Sequence, residues 1–81
     1  MIYVNIKKVV VGELETNCYI LENNNECLIV DPGSESDKII KNIDKKVVGI
    51  LLTHRHFDHV GALESVSKYY KVPIYDISNL H

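Results

Sequence analysis

Cysteine is scarce in this sequence. Cys18 and Cys27 are its two thiols among 81 residues, and they lack C-x-x-C spacing. That is too few for a disulfide-framed secreted scaffold, and the expectation is a reduced, cytoplasmic protein. Long apolar runs are also missing. None exceeds four residues, against the roughly 20 that a membrane helix needs. The lysines of the opening MIYVNIKKVV follow the apolar stretch instead of preceding it, so no cleavable signal is expected. Positive charge is not in excess: nine Lys and Arg stand against eleven Asp and Glu, a formal net charge of −2. No basic footprint for nucleic acid or an anionic membrane is present, and neither is expected as a partner. Repeats, low-complexity tracts and linkers are absent as well.

What remains is ordinary globular composition, 46% hydrophobic and 25% charged, which argues against disorder. The length allows one small domain, or part of a larger one, over residues 1–81. Met1 to Val11 is rich in β-branched residues and reads as a strand, with Lys7 and Lys8 marking an exposed stretch or an edge. Asn17–Glu22 and Cys27–Val30 flank the triplet Asn23-Asn24-Asn25. Asparagine tolerates positive φ, so a hairpin is expected there. Asp31-Pro32-Gly33 ends the third strand, as a structural turn or with a further role. Ser34 or Ser36 is positioned to cap a helix with Glu35 and Asp37 in its first turn and Ile39, Ile40 and Ile43 as its apolar stripe. The run VVGILLT to Thr53 reads as a strand buried on both faces. A second helix from Val60 or Gly61 turns Leu63, Val66, Tyr69 and Tyr70 inward and stops before Val72-Pro73. Pro73-Ile74-Tyr75 opens a last short strand. The order β-β-β-α-β-α-β predicts an α+β or α/β layer with a mixed sheet and helices on one face.

Chemistry is concentrated between the buried strand and the second helix. Three of the four histidines fall in Thr53-His54-Arg55-His56-Phe57-Asp58-His59-Val60-Gly61, at a strand end, where sheet proteins place ligand sites. If the backbone stays extended past Thr53, His54 and His56 project to the same side and can converge on one ion. A bend toward Gly61 brings Asp58 and His59 beside them, suited to a second ion about 3.5–4 Å away. Imidazole with carboxylate suits Zn2+, one ion or two, with Fe or Mn as alternatives. In such a site Asp58 could both ligate metal and, as the catalytic residue, orient an attacking water. Asp31 and Thr53, each at a strand end, are candidates to support the ligands from behind. The bland reading of the cluster is a solvated polar loop, but four ligand-type residues at this spacing in a strand–loop–Gly–helix context oppose it. His81 is read as a surface residue or the start of a tag, and the two cysteines as small buried hydrophobes.

THRHFDHVGA, residues Thr53 to Ala62, resembles the metal-binding signature T-H-x-H-x-D-H-x-G of the metallo-β-lactamase superfamily. Thr16-Asn17-Cys18-Tyr19-Ile20-Leu21 is similar to the family's second strand, and Ile29-Val30-Asp31-Pro32-Gly33 to its next strand and the loop behind the metals. The flavour is that of the small glyoxalase-II-like hydrolases. The resemblance implies half of an αββα sandwich, with two helices on one face of a mixed sheet. It implies that His54 and His56 are two of three ligands of a first metal, that Asp58 and His59 serve a second, and that Asp31 is buried behind them. It implies hydrolysis of a small-molecule substrate by metal-activated water, a thioester first, with lactone, β-lactam or phosphoester as alternatives. Only the N-terminal half of the family pattern is present: the later histidine of the first site, the bridging aspartate and the final histidine are missing unless His81 replaces one. Two ions need about six protein groups, and the motif supplies four. Three resolutions follow: a truncated domain of a larger hydrolase, a homodimer whose chains complete each other's sandwich, or a non-catalytic metal-binding or self-associating half-domain.

Overall fold

The computed structural model describes residues 5–12, 16–33, 35–53 and 60–77. Seven elements follow one another: β1 (Asn5–Val11), β2 (Thr16–Glu22), β3 (Glu26–Val30), α1 (Ser36–Lys41), β4 (Lys46–Leu52), α2 (Val60–Tyr70) and β5 (Ile74–Asp76). This is the order read from the sequence. The strands form one mixed sheet in the order β1-β2-β3-β4-β5. β1, β2 and β3 run antiparallel, whereas β3, β4 and β5 are parallel and are joined by crossovers through α1 and α2.

The β2–β3 hairpin forms where the asparagines stand, but not by the expected means. None of the three takes positive φ. Instead the Asn23 side-chain carbonyl accepts the backbone N–H groups of Asn25 (2.8 Å) and Glu26 (2.7 Å). A short polar side chain replaces a backbone acceptor, an Asx turn. Ser36 does not cap α1 but is its first residue, and Ser34, the other candidate, lies outside the described residues. The cap is Glu35 in the left-handed region (φ 53°) with no side-chain cap bond, its carbonyl taking the N–H groups of Lys38 and Ile39.

Side-chain alternation along the register separates two faces. Val9, Val11, Cys18, Ile20, Cys27, Ile29, Val47 and Ile50 share one face with Ile39 of α1 and Val66 of α2, and all are buried. Ile43, Leu63, Tyr70 and Val72 pack against this core. Both helices therefore cover the same side, as expected. Tyr69, expected inward, is 65% exposed and stands edge-to-face against Tyr70 with centroids 4.9 Å apart. The helix repeat gives the inward positions to Val66 and Tyr70.

β4 is not buried on both faces. Val47, Gly49 and Ile50 are buried, Leu51 and Leu52 are half-buried, and Val48 is exposed. Cys27 pairs with Val47 but Leu28 pairs with Gly49, so Val48 is the extra residue of a bulge. Gly49 makes room for its neighbours on the helix-free face. A Cβ there would stand 3.0 Å from Tyr75 Cε2 and 3.2 Å from Leu28 Cδ2.

Candidate metal centre

β3, β4 and β5 end at one edge of the sheet, and the site residues read from the sequence follow β3 and β4. Asp31 comes directly after β3 with φ 54°, an angle that a short polar side chain tolerates better than most. Its N–H donates to the Leu51 carbonyl at 2.9 Å, carrying the parallel ladder one residue past the strand. Its carboxylate is thereby turned toward the end of β4. Oδ1 accepts the Thr53 N–H at 2.8 Å, and Oδ2 accepts the Thr53 hydroxyl. One charged side chain thus grips the residue immediately before His54 at two points, and bonds to an ionised acceptor are the stronger kind. Asp31 is half-buried and Thr53 exposed, while Pro32 and Gly33 are buried beneath the edge.

Cys18 is fully buried near this grip. Burial, and after it the negative charge of Asp31, pushes its thiol up to about 12. A neutral thiol is neither nucleophile nor metal ligand, so Cys18 acts as a small hydrophobe here, as expected. Cys27 is also buried and free. Its thiol is raised by burial and then by the charges of Glu22 and Asp44.

His54, His56, Asp58 and His59 lie outside the described residues, as does His81. Among the described residues no group of three or more His, Cys, Asp or Glu side chains could hold a metal ion. Of the six site residues read from the sequence, the structure places Asp31 and Thr53 and brings these two together. Sequence reasoning missed that they bind each other. It also missed that Glu35 and Lys38 hold the end of β1: the Gly12 N–H donates to Glu35 Oε1 at 2.6 Å, and Lys38 Nζ donates to the Val10 carbonyl at 2.6 Å. An i, i+3 acidic–basic pair at a helix start was the available signal, but it is too common to single out.

A mixed sheet with both helices on one side, and an imidazole- and carboxylate-rich stretch between a parallel strand and the next helix, is the layout of a layered metal-site domain. The chain belongs to the metallo-beta-lactamase superfamily, whose family profile matches residues 11–81. It is 43% identical over 72 residues to "Probable metallo-hydrolase YqgX" of Bacillus subtilis (strain 168), covering 85% of this chain and 34% of that protein. It is 50% identical over 56 residues to the hydroxyacylglutathione hydrolase of Buchnera aphidicola subsp. Schizaphis graminum (strain Sg), covering 64% of this chain and 22% of that one. The crystal structure of BLEG-1 B3 metallo-beta-lactamase superposes with a TM-score of 0.80 at 37% identity, over 88% of this chain and 36% of that chain. The fold is therefore that of part of a metallo-beta-lactamase domain, and the chain spans about a third of the length of the first of these relatives. Among the described residues no helix is long and apolar enough to cross a membrane.

Proposed function

We propose that this chain carries the metal-binding segment of a hydrolase acting on small molecules, most directly a thioester. The observation that carries the reading is the Asp31–Thr53 grip. It fixes the residue from which the His-x-His-x-Asp-His run departs, in a chain belonging to the metallo-beta-lactamase superfamily. The thioester preference is supported by the relative named hydroxyacylglutathione hydrolase.

The donor set fits a divalent ion. His54 and His56 would hold one, and Asp58 and His59 would hold or share a second, with Zn2+ favoured by imidazole and carboxylate donors and Fe or Mn as alternatives. Such an ion, when bound, supplies hydroxide at neutral pH and polarises a carbonyl oxygen. The chain's own part is positional. Asp31 orders the end of β4, and Asp58 is the group available to accept a proton from, and orient, an attacking water.

Ligating imidazoles must be neutral, and their ordinary pKa is about 6.5. Titration calorimetry with zinc should therefore show strong uptake at pH 7.5 and uptake at least tenfold weaker at pH 5.5. Equal affinity at the two values would remove the histidines as ligands. A panel of thioester, lactone and phosphoester substrates, run with the zinc-loaded protein, then ranks the substrate classes.

A second reading is favoured by one observation: the motif supplies four of the roughly six groups that two ions need. In that reading the chain binds metal without turning over substrate. Stoichiometric zinc binding with no hydrolysis of any panel member supports it over the first.

A further inference from the structure

We propose that Glu35 is a positioning residue for the metal segment, an assignment that rests on the metal-binding reading of residues 54–59. By bonding Gly12 it anchors the far end of the connection whose first residue, Asp31, holds Thr53.

Strand direction brings the three contact points together. β1 and β3 both run antiparallel to β2, and β4 runs parallel to β3. Gly12, Asp31 and Thr53 therefore follow strands that end at one edge. The chain passes from β3 to α1 along this edge in residues 31–35. The first and last of these residues are both acidic, and both take left-handed backbone angles, φ 54° at Asp31 and 53° at Glu35. A β-carbon makes that region unfavourable, and glutamate lacks the short side chain that helps aspartate there. Such angles persist where the surroundings over-determine them, and they cluster at functional sites. Each carboxylate accepts a backbone N–H from a neighbouring strand end. Asp31 Oδ1 takes that of Thr53 at 2.8 Å, and Glu35 Oε1 takes that of Gly12 at 2.6 Å.

The connection has little slack. Pro32 has its φ set by the ring, and Pro32 and Gly33 are buried. On the helix side, the Glu35 carbonyl accepts the N–H groups of Lys38 and Ile39, at 3.0 and 3.2 Å, and Ile39 is fully buried. Lys38 Nζ donates to the Val10 carbonyl at 2.6 Å, a second tie to β1 one turn further on. Glu35 is thus held to α1 by its backbone and to β1 by its side chain. Without the side-chain bond, residue 35 keeps an unfavourable angle and loses what offsets it. Relaxation there displaces Asp31 at the other end and loosens its hold on Thr53, the residue before His54.

Glu35 also starts α1, and two variants separate that role from the anchoring one. Glu35→Gly tolerates the angle but removes the acceptor. Glu35→Gln removes the charge but keeps an acceptor for Gly12. Amide exchange with water, followed by NMR on the metal-free 81-residue chain, reads the hold on Thr53. In Glu35→Gly the Gly12 amide proton should move upfield, and Thr53 should exchange at least threefold faster relative to the core amides of β3. Calorimetric zinc titration at pH 7.5 should show the Kd raised about three- to tenfold, the scale of coupling through residues that touch no ligand. Glu35→Gln should lie within about twofold of the parent in both readouts, which excludes loss of charge as the cause. In an Asp31→Ala background Glu35→Gly should add nothing at Thr53, because the carboxylate it acts through is gone. Circular dichroism and urea midpoints verify that each variant folds. Unchanged Thr53 exchange in Glu35→Gly, a Glu35→Gln variant no better than Glu35→Gly, or additive effects with Asp31→Ala would each overturn the proposal. A parent chain that takes up no zinc would instead overturn the metal-binding reading, and with it Glu35's part in metal uptake, whatever the exchange data show of its hold on Thr53.

Discussion

Asp31 meets two demands at once, a left-handed backbone angle and a carboxylate that takes both donors of Thr53. Asparagine satisfies the first and part of the second; alanine satisfies neither. Asp31→Ala is expected to lower unfolding stability by about 0.5–1.5 kcal/mol, the net range for hydrogen bonds whose exposed partner can turn to water, and Asp31→Asn by less. Urea melts of the two variants against the parent check this, and equal midpoints for all three would show that the grip contributes nothing. Asp31 was legible as a strand-end residue, but its tie to Thr53 was not, because a contact between positions 22 apart depends on how β3 and β4 align. Cys18 gives a chemical readout of the same corner. With its thiol at about 12 against an ordinary 9.0, roughly one in ten thousand is ionised at pH 8 where about one in ten otherwise would be. The folded protein should therefore leave Ellman's reagent unreacted for hours, while denaturant should release two thiols, Cys27 being buried as well. Rapid reaction of the native chain would contradict the burial.

Element by element, α1 is the clearest case of charge supplementing apolar contact. It has six residues and one fully buried side chain, Ile39. Lys38 and Glu35 tie its start to the end of β1. After its last turn, Lys7 of β1 reaches the Asn42 carbonyl at 3.3 Å, Asp44 at 3.5 Å and the buried Glu22 at 3.3 Å. The hydrogen bond to Glu22 is the chief cause that raises the Lys7 ammonium above its usual 10.5, and the charge of Lys7 is what lowers Asp44 from 3.8. The signs define a window. The raised Lys7 stabilises fully below 10.5 and loses its effect as pH climbs through the folded value above it. The lowered Asp44 stabilises above 3.8 and loses its effect as pH falls through the folded value below it. Lys7 and Asp44 therefore leave the melting temperature level between these limits, while the buried Cys18 and Cys27 thiols, raised from 9.0, start the alkaline fall as pH climbs past that ordinary value. Lys7→Met should lower the plateau and lessen the alkaline fall only above 10.5, and Lys7→Met with Glu22→Gln should recover part of the plateau by removing a buried carboxylate whose remaining side-chain donor is Asn5. Helix and strand existence was legible here from β-branched runs and the isoleucine stripe. The cap was not, because serine's preference for that position is a tendency and Glu35 is held there by its bond to Gly12. Tyr69 was misplaced because a wide apolar stripe does not say which of two adjacent tyrosines faces the sheet.

For the whole molecule, the pattern VVGILL revealed a central parallel strand, but not how many layers cover it. An apolar strand reads the same whether one face or two are packed, and the bulge at Val48 shifts the alternation midway. The candidate metal segment was the most legible part of the sequence, since four ligand types at fixed spacing need no tertiary contact to be recognised. Its support, Asp31 with Thr53, needed the sheet. The bonds from Glu35 and Lys38 occupy main-chain groups at the end of the outermost strand, at Gly12 and Val10. Those groups are then unavailable as a template for an incoming strand, and the opposite rim, β5, is only three residues long. Fibre growth by rim-to-rim stacking is discouraged at both borders, so a concentrated solution of this chain should stay clear and fail to seed thioflavin-positive aggregates.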